Sequence, residues 1–263
     1  MKIAELYRKA KPSMIGALSE IRFIPELVRY MGWSERSLLR SLPRGDGRPV
    51  LVIPGFLCSD LATWRMRKLL NKIGYQSFAW RQGINWGPRP GVRTRLLHRI
   101  NRISQRYSQP VTLIGWSLGG VYARELSNIR PDLIREVITL GSPVQGKPDA
   151  IGIWPIYRWI NRRNSQSMSS SILDYSRPIL GSNLSIFTRG DGIVPWINCK
   201  PVRGHAGRSV EVRGSHIGLV HNPDVMTILA HHLASDTKLS ESILLPPGGQ
   251  QLTNLAMSEP VID

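Results

Sequence analysis

The feature that most constrains the fold is a regular alternation of two hydrophobic patterns between residues 50 and 234. Six short runs rich in β-branched and other apolar residues occupy 50–54, 75–80, 111–115, 136–140, 184–188 and 209–212. Segments with apolar residues at helical spacing lie between most of them, at about 60–73, 91–107, 118–129 and 223–234. Hydrophobic strands that alternate with helices are typical of a parallel sheet covered on both faces. The sequence therefore predicts an α/β fold with a mostly parallel central sheet.

The segments that flank this alternation suggest a single core with additions. A chain of 263 residues fits one sizeable domain, which we place at 49–235. Residues 1–48 have helical apolar spacing and predict a helical N-terminal extension. Residues 236–263 show no sustained periodicity and predict a poorly ordered tail. The stretch at about 143–183 is longer than a helical crossover requires, so it predicts a small cap insertion.

The candidate nucleophile is Ser117, the serine of a G-x-S-x-G motif. The motif occurs by chance in many chains, but here a predicted strand ends at Gly115 and a predicted helix begins just after Ser117. A serine on such a sharp turn adopts a strained backbone conformation, and Gly115 and Gly119 let the turn close. The turn holds the hydroxyl above the strand ends, near the helix N-terminus. This context indicates an exposed, reactive serine.

A serine hydroxyl needs a positioned base, and the sequence offers both a base and an acid to orient it. Asp191 lies on a Gly-flanked turn just beyond the fifth apolar run, and His216 lies in the loop after the last one. The carboxyl ends of parallel strands meet at one end of a sheet, where α/β folds build their sites. We therefore expect Asp191, His216 and Ser117 to form a triad, with His216 as base and Asp191 as acid.

Other residues compete for the roles of acid and base. These are Asp149, Asp174, His205, His221, His231 and His232. The two aspartates lie within or at the entrance of the predicted cap and do not follow a core strand. The adjacent histidines fall in the middle of a predicted helix, and His205 precedes the last strand. His221, five residues after His216, is the strongest alternative base.

The tetrahedral intermediate of acyl transfer needs backbone N–H donors for its oxyanion. One should be Leu118, the residue after the nucleophile. The other should come from the loop after the first core strand, where Phe56 is the expected donor and Leu57 the alternative. We expect Leu57, Trp116, Trp154 and Trp196 to contact the substrate. Since the predicted cap is rich in aromatic and aliphatic residues, the expected substrate is an apolar acyl ester or lipid. The triad chemistry requires no metal or organic cofactor, so none is expected.

These motifs resemble the α/β-hydrolase superfamily, particularly its serine esterase and lipase branch, over about residues 50–234. GWSLGG is similar to the family's nucleophile elbow, IPGF to its oxyanion loop, and RGDGIVP and GSHIGL to its acid and histidine motifs. The resemblance implies hydrolysis of a carboxylic ester through an acyl-enzyme on Ser117, as in lipid metabolism. Pro54 stands where many members have histidine, and the predicted N-terminal helices take the place of the family's first antiparallel strands.

Two other kinds of function remain open at this point. The same triad serves acyltransferases, thioesterases and amidases, which triad residues alone do not separate. A non-catalytic relative would use the pocket or a basic face to bind lipids or anions. The oligomeric state is also open.

Charge is the most unusual property of the composition. The chain has 35 Lys and Arg against 18 Asp and Glu, a formal net charge of +17. Such a field favours anionic partners, among them an anionic membrane surface. No motif of a sequence-specific nucleic-acid binder accompanies it. The chain has two cysteines outside any CxxC pair, no apolar run long enough to span a bilayer and no secretory h-region at its start. The expected location is the cytosol, with peripheral membrane contact as the alternative.

Overall fold

The computed structural model describes residues 20–31, 35–145, 182–201 and 207–235. In these residues the helices are α1 (Phe23–Met31), α2 (Glu35–Ser41), α3 (Trp64–Ile73), α4 (Val92–Tyr107), α5 (Leu118–Ile129) and α6 (Pro223–Ala234). The strands are β1 (Pro49–Ile53), β2 (Gln76–Ala79), β3 (Val111–Trp116), β4 (Ile134–Leu140), β5 (Ser182–Phe187) and β6 (Arg208–Glu211). Short 3₁₀ turns occupy Glu20–Arg22, Pro131–Leu133, Trp196–Cys199 and Gly218–Val220.

The six strands form one sheet in the order β2-β1-β3-β4-β5-β6, and every neighbouring pair is parallel. Every residue of β1 and β3 is buried, because helices cover both faces at the centre of the sheet. This burial explains why these strands read as continuous apolar runs rather than as alternating patterns. The structure confirms the predicted parallel α/β architecture.

Two apolar cores, one on each face of the sheet, hold the helices in place. On one face α2, α3 and α6 pack against strand side chains, in a core that includes Leu38, Val52, Met66, Leu70, Ile114 and Leu229. On the other face α4 and α5 pack against the alternate strand positions, in a core that includes Leu51, Ile53, Leu96, Ile100, Leu113 and Leu126. Successive strand residues point to opposite faces, so β1 contributes to both cores.

Local signals set the ends of several helices. Gly74 ends α3 with φ of 110°, a left-handed conformation that glycine adopts readily, and its N–H donates to carbonyls of the last turn. Asn222 caps α6 by accepting the N–H of Asp224, and Pro223 stands at the first helical position. These caps explain why the chain turns sharply from helix to strand and from loop to helix.

The described part of the N-terminal extension is helical, as predicted, in α1 and α2. Leu38 and Leu42 of this region are buried in the main core. The predicted cap, apart from its ends, and the C-terminal tail lie outside the described residues. None of the described helices is both long and apolar enough to cross a membrane.

Candidate active site

Ser117 stands between the last residue of β3 and the first residue of α5. Its backbone has φ of 53° and ψ of −123°, a conformation that non-glycine residues rarely adopt. The Ser117 N–H donates to the Leu140 carbonyl at 2.8 Å, which ties the turn to the end of the neighbouring strand β4. The G-x-S-x-G motif thus forms the strained strand-to-helix turn that the sequence predicts.

Three glycines around Ser117 allow this turn to pack without side chains. A Cβ at Gly115 would overlap the backbone of Gly119 and Gly120, and a Cβ at Gly119 would overlap the Ile53 carbonyl oxygen. A Cβ at Gly120 would overlap Oγ of Ser142. Close approach between α5, β1 and the end of β4 therefore requires glycine at each position.

This packing predicts a stability effect that a second substitution relieves. Gly120→Ala should lower the free energy of unfolding by about 1–3 kcal/mol, because the new methyl group overlaps Ser142. In a Gly120→Ala background, Ser142→Gly should cost less than in the wild-type background, since it removes the overlapping atoms. Urea denaturation of the two single variants and the double variant measures this coupling. Strictly additive losses would contradict the packing explanation.

Asp191 and His216 are in direct contact. Nδ1 of His216 lies 2.6 Å from Oδ2 of Asp191, and their side chains are 3% and 1% exposed. The other carboxylate oxygen of Asp191 accepts the N–H groups of Ile193 at 2.9 Å and Val194 at 2.7 Å. These two bonds fix the carboxylate so that Oδ2 faces the imidazole. Asp191 follows β5 and His216 follows β6, as the sequence predicts.

Gly141, at the carboxyl end of β4, lies between the serine turn and this pair. It has φ of 54°, and a Cβ there would lie 3.1 Å from Nδ1 of His216 and 3.2 Å from Oδ2 of Asp191. The preceding residue, Leu140, accepts the Ser117 N–H. The end of β4 thus contacts all three residues predicted to form the triad. Sequence reasoning missed Gly141, because a lone glycine after a strand does not reveal what packs against it.

Trp116, which precedes Ser117, contacts the loop that carries His216. Its Nε1–H donates to the His216 carbonyl at 3.2 Å, and the two rings lie 5.9 Å apart. The side chain is buried in the core, with only 4% of the residue exposed. This position explains Trp116 as a support for His216, and the predicted contact with substrate stays a prediction.

Two carboxylates of the N-terminal extension hold the acid and histidine loops, and sequence reasoning missed both. Glu20 is only 3% exposed, and its carboxylate accepts the N–H groups of Gly192 at 2.8 Å, His216 at 3.2 Å and Ile217 at 3.0 Å. Glu26 accepts the N–H of Ser215 at 3.1 Å and its hydroxyl at 2.6 Å. The extension therefore joins the loop after β5 to the loop after β6.

The buried charges around His216 act on its pKa in opposite directions. Burial lowers the pKa of the imidazole, since it disfavours the charged form. The adjacent Asp191 carboxylate, by charge and hydrogen bond, and the charge of Glu20 raise it. The carboxylates outweigh burial, so the pKa of His216 is raised above its ordinary value. The site thus favours an imidazolium when a proton arrives.

The competing histidines in the described residues lie elsewhere. The ring of His221 lies 5.9 Å from that of Phe23, and burial lowers the pKa of His221. His232 contacts Oε2 of Glu136 through Nε2 at 2.8 Å. Of the two loop histidines after β6, the structure brings His216 to Asp191. Asp149, Asp174 and His205 lie outside the described residues.

The loop after β1 contains Phe56 and Leu57, the two candidates for the second oxyanion donor. The Leu57 N–H donates to the Asn85 carbonyl at 2.8 Å, and Leu57 has φ of 60°. Asn85 is fully buried and also donates through Nδ2 to the Pro54 carbonyl at 2.8 Å. The N–H of Leu57 is therefore engaged within the loop, and the assignment of Phe56 as the oxyanion donor stays a prediction. Leu118, the first residue of α5, carries an N–H at the end of the helix that lacks an intrahelical partner.

The predicted substrate contacts have different surroundings. Leu57 is 44% exposed beside Phe56 and stays a candidate contact. Trp196 stacks on Phe187 with ring centroids 6.0 Å apart, and Arg189 lies 4.9 Å above its ring. Its contact with substrate stays a prediction, and Trp154 lies outside the described residues. No three His, Cys, Asp or Glu side chains come together as a metal site within the described ranges.

Comparison with solved structures identifies the fold. A structure from the description of LipS and LipT, two metagenome-derived lipolytic enzymes, matches with a TM-score of 0.53 and 15% identity, over 73% of this chain and 94% of that chain. A 2-hydroxy-6-oxo-6-phenylhexa-2,4-dienoate hydrolase from Rhodococcus sp. strain RHA1 matches with a TM-score of 0.52 and 16% identity, over 72% and 92%. The chain has the α/β-hydrolase fold. This identification agrees with the resemblance seen in the sequence motifs.

Three further results come from a solved structure, a family model and a search of curated sequences. Paleococcus ferrophilus monoacylglycerol lipase matches this α/β-hydrolase chain with a TM-score of 0.50 and 15% identity, over 73% and 96% of the two chains. The model of the PGAP1-like alpha/beta domain family matches residues 94–193, less than half of the chain. No curated protein sequence matches the chain significantly.

Proposed function

We propose that this protein is a serine hydrolase that cleaves carboxylic esters with an apolar acyl group through an acyl-enzyme on Ser117. The observation that carries the proposal is the buried contact of 2.6 Å between Asp191 and His216, at the carboxyl end of the sheet where Ser117 occupies a strained turn. A buried acid, an imidazole and a serine on a strained turn supply the groups that acyl transfer requires, and Ser117, which the sequence predicts to be exposed, is itself buried, with 6% of the residue exposed.

In the proposed mechanism, His216 accepts the Ser117 proton as Oγ attacks the ester carbonyl. Asp191 holds the Nδ1–H tautomer and stabilises the imidazolium that forms. The N–H groups of Phe56 and Leu118 stabilise the oxyanion. The intermediate collapses, the C–O bond to the alcohol breaks, and His216 gives its proton to the leaving alkoxide. Water, activated by the same histidine, then releases the acid and restores Ser117.

Two observations support an apolar ester as the substrate. Leu57, next to the proposed donor Phe56, exposes 44% of its surface at this end of the sheet. Solved structures with the same fold include enzymes named as lipolytic and as a monoacylglycerol lipase. Thioesterase, amidase and acyltransferase activity use the same groups, so the leaving group and the acceptor need a direct test.

A fluorophosphonate probe tests the nucleophile directly, because it reacts with an activated serine and not with an ordinary one. We expect stoichiometric labelling, with the adduct mapped to Ser117 by peptide mass spectrometry. Ser117→Ala should abolish labelling, and Ser104→Ala on α4 should leave it unchanged. An unlabelled wild-type protein that also fails to hydrolyse nitrophenyl esters would contradict the proposal and favour a non-catalytic binding role.

The substrate class is tested with a panel of matched esters, thioesters and amides of increasing acyl length. We expect kcat/KM to be highest for esters and to rise with acyl length, since each buried methylene adds roughly 0.8 kcal/mol of transfer free energy. Addition of an alcohol or amine acceptor separates hydrolysis from acyl transfer. A product dominated by the transferred acyl group would identify an acyltransferase instead.

A further inference from the structure

An arginine-lined groove follows the open edge of the sheet, where β2 is the edge strand. It has a volume of about 420 Å³ and lies between β2 and α4. The arginine groove is defined by Arg81, Arg95, Arg99, Arg102 and Arg106. Four of these arginines recur on α4 at spacings of three or four residues, so they share one face of the helix. The adjacent face of α4 is buried in the core through Leu96 and Ile100.

Neutral oxygens orient two of the guanidinium groups of this groove. Nε of Arg95 donates to Oε1 of Gln82 at 2.6 Å, and Nε of Arg99 donates to the Ala79 carbonyl at 2.8 Å. The ion pairs within the described ranges involve other arginines, among them Arg48, Arg93, Arg130 and Arg189. Like charges one helical turn apart destabilise a helix, so this face carries a free-energy cost in the isolated protein. It concentrates positive charge that an external anion would neutralise.

Exposed apolar side chains lie in the loops that follow β1 and β2 and at the start of α3. The apolar rim consists of Leu61 (80% exposed), Trp64 (52%), Ile84 (44%) and Trp86 (37%). Its two loops are joined, because the Asp60 carboxylate accepts the N–H of Trp80 at 2.9 Å and that of Arg81 at 3.1 Å. Arg81 is therefore shared between the groove and the loop that carries half of the rim.

We propose that the arginine groove and the apolar rim together form a docking surface for a bilayer that contains anionic phospholipids. The guanidinium groups would bind lipid phosphates as charge-assisted donors, and the rim would enter the headgroup region. Arginine, tryptophan and aliphatic side chains combine in this way at membrane interfaces. Trp64 and Trp86 would also serve as stacking platforms for bases, so the exposed aliphatic side chains of Leu61 and Ile84 are what favour a bilayer over a nucleic acid.

The docking surface lies at the same end of the sheet as the candidate active site, but binding to it does not require the proposed reaction. Arg81 and the rim residue Ile84 follow the carboxyl end of β2, and Leu61 follows that of β1, the strand before the proposed oxyanion loop. Docking there would bring the carboxyl end of the sheet toward the membrane. The binding itself needs no triad, so it can be measured in a Ser117→Ala protein that does not turn over lipid.

Vesicle sedimentation tests the proposal with phosphatidylcholine vesicles that contain or lack phosphatidylserine. The Ser117→Ala protein should bind the anionic vesicles, bind the neutral ones weakly, and be released at high salt. Adding Arg95→Gln, Arg102→Gln and Arg106→Gln should weaken binding roughly 100-fold, since each cation near an anionic surface contributes about fivefold. The single Arg102→Gln variant should lose about fivefold, which keeps the test valid if the triple variant folds poorly.

A matched control separates position from net charge. The control protein carries Arg36→Gln, Arg40→Gln and Arg130→Gln, three arginines that lie outside the groove. We expect it to bind anionic vesicles within about threefold of the parent, because charges beyond a Debye length are screened. Leu61→Ser with Ile84→Ser should weaken binding to the anionic vesicles at low salt, because it removes two of the apolar side chains that would enter the headgroup region.

Three outcomes would overturn the proposal. The groove variant could bind anionic vesicles with the same affinity as the parent protein. The arginines would then only shield the edge strand of the sheet. The control could lose as much binding as the groove variant, which would make net charge the cause. A groove-dependent preference for a duplex oligonucleotide over vesicles at equal phosphate concentration would identify a nucleic-acid surface instead.

In the triple groove variant with Ser117 intact, turnover of a water-soluble ester should match that of the wild type, so failure of docking and failure of the proposed reaction are distinguishable.

Discussion

Replacement of Ser117 by alanine is expected to lower kcat for a nitrophenyl ester by roughly 10⁵-fold or more. Without Oγ the variant cannot form the proposed acyl-enzyme. Only the oxyanion donors and substrate binding remain to accelerate the reaction with water. Alanine keeps a Cβ at the same positive φ, so the strain of the turn is unchanged and the melting temperature should stay close to the wild-type value. Steady-state kinetics and circular dichroism measure the two effects.

Asp191→Ala provides the graded comparison. It should lower kcat by roughly 10⁴-fold, less than the serine variant, because the acid orients the imidazole and stabilises its charge but forms no bond to substrate. Ser104→Ala serves as the control with unchanged kinetics. Turnover that persists in Ser117→Ala would remove the nucleophile assignment, and full activity in Asp191→Ala would place the acid elsewhere.

The core of the fold could be predicted because its signals are local. Helix α5 was expected at 118–129 and is found at Leu118–Ile129, and β1 was expected at 50–54 and is found at Pro49–Ile53. A strand buried on both faces must be apolar throughout, and a helix on one face must repeat its apolar residues with its own period. The parallel order then places the ends of β3, β5 and β6 at one end of the sheet, so Ser117, Asp191 and His216 could be proposed as neighbours.

Contacts that join distant parts of the chain could not be predicted in this way. Glu20 meets the His216 loop across 196 residues of sequence, and nothing near Glu20 distinguishes it from an exposed glutamate on a basic helix. Burial of a charge is stable only when several donors surround it, and those donors belong to loops far along the chain. Trp116 shows a related difficulty: its contact with substrate stays a prediction, and nothing in the sequence reveals that its Nε1–H donates to the His216 carbonyl.

The second large effect is expected at Glu20, a positioning residue for the proposed reaction. Its carboxylate accepts three N–H groups from the loops that carry Asp191 and His216. Glu20→Ala would leave those buried donors without their acceptor, at a cost of about 1–3 kcal/mol for each unsatisfied group. We expect kcat for ester hydrolysis to fall about 10- to 100-fold with little change in KM, because a misplaced imidazole affects the transition state more than binding.

A pH profile separates the charge of Glu20 from its role in holding the loops. The proposed base must be unprotonated, so kcat/KM falls as the pH drops through the pKa of His216. The Glu20 charge favours the imidazolium and raises the pKa of His216. Glu20→Gln keeps the size of the side chain but removes the charge, so the pKa should fall and the acid limb should move to lower pH.

Glu26→Gln is the matched control, because Glu26 binds Ser215 of the same loop, whereas the carboxylates that raise the pKa of His216 are Asp191 and Glu20. It should lower the melting temperature and reduce kcat, while its acid limb stays at the wild-type pH. A structural role alone for Glu20 would give Glu20→Gln the same profile as Glu26→Gln. An acid limb that moves to higher pH in Glu20→Gln would contradict both the charge effect and the assignment of His216 as the base.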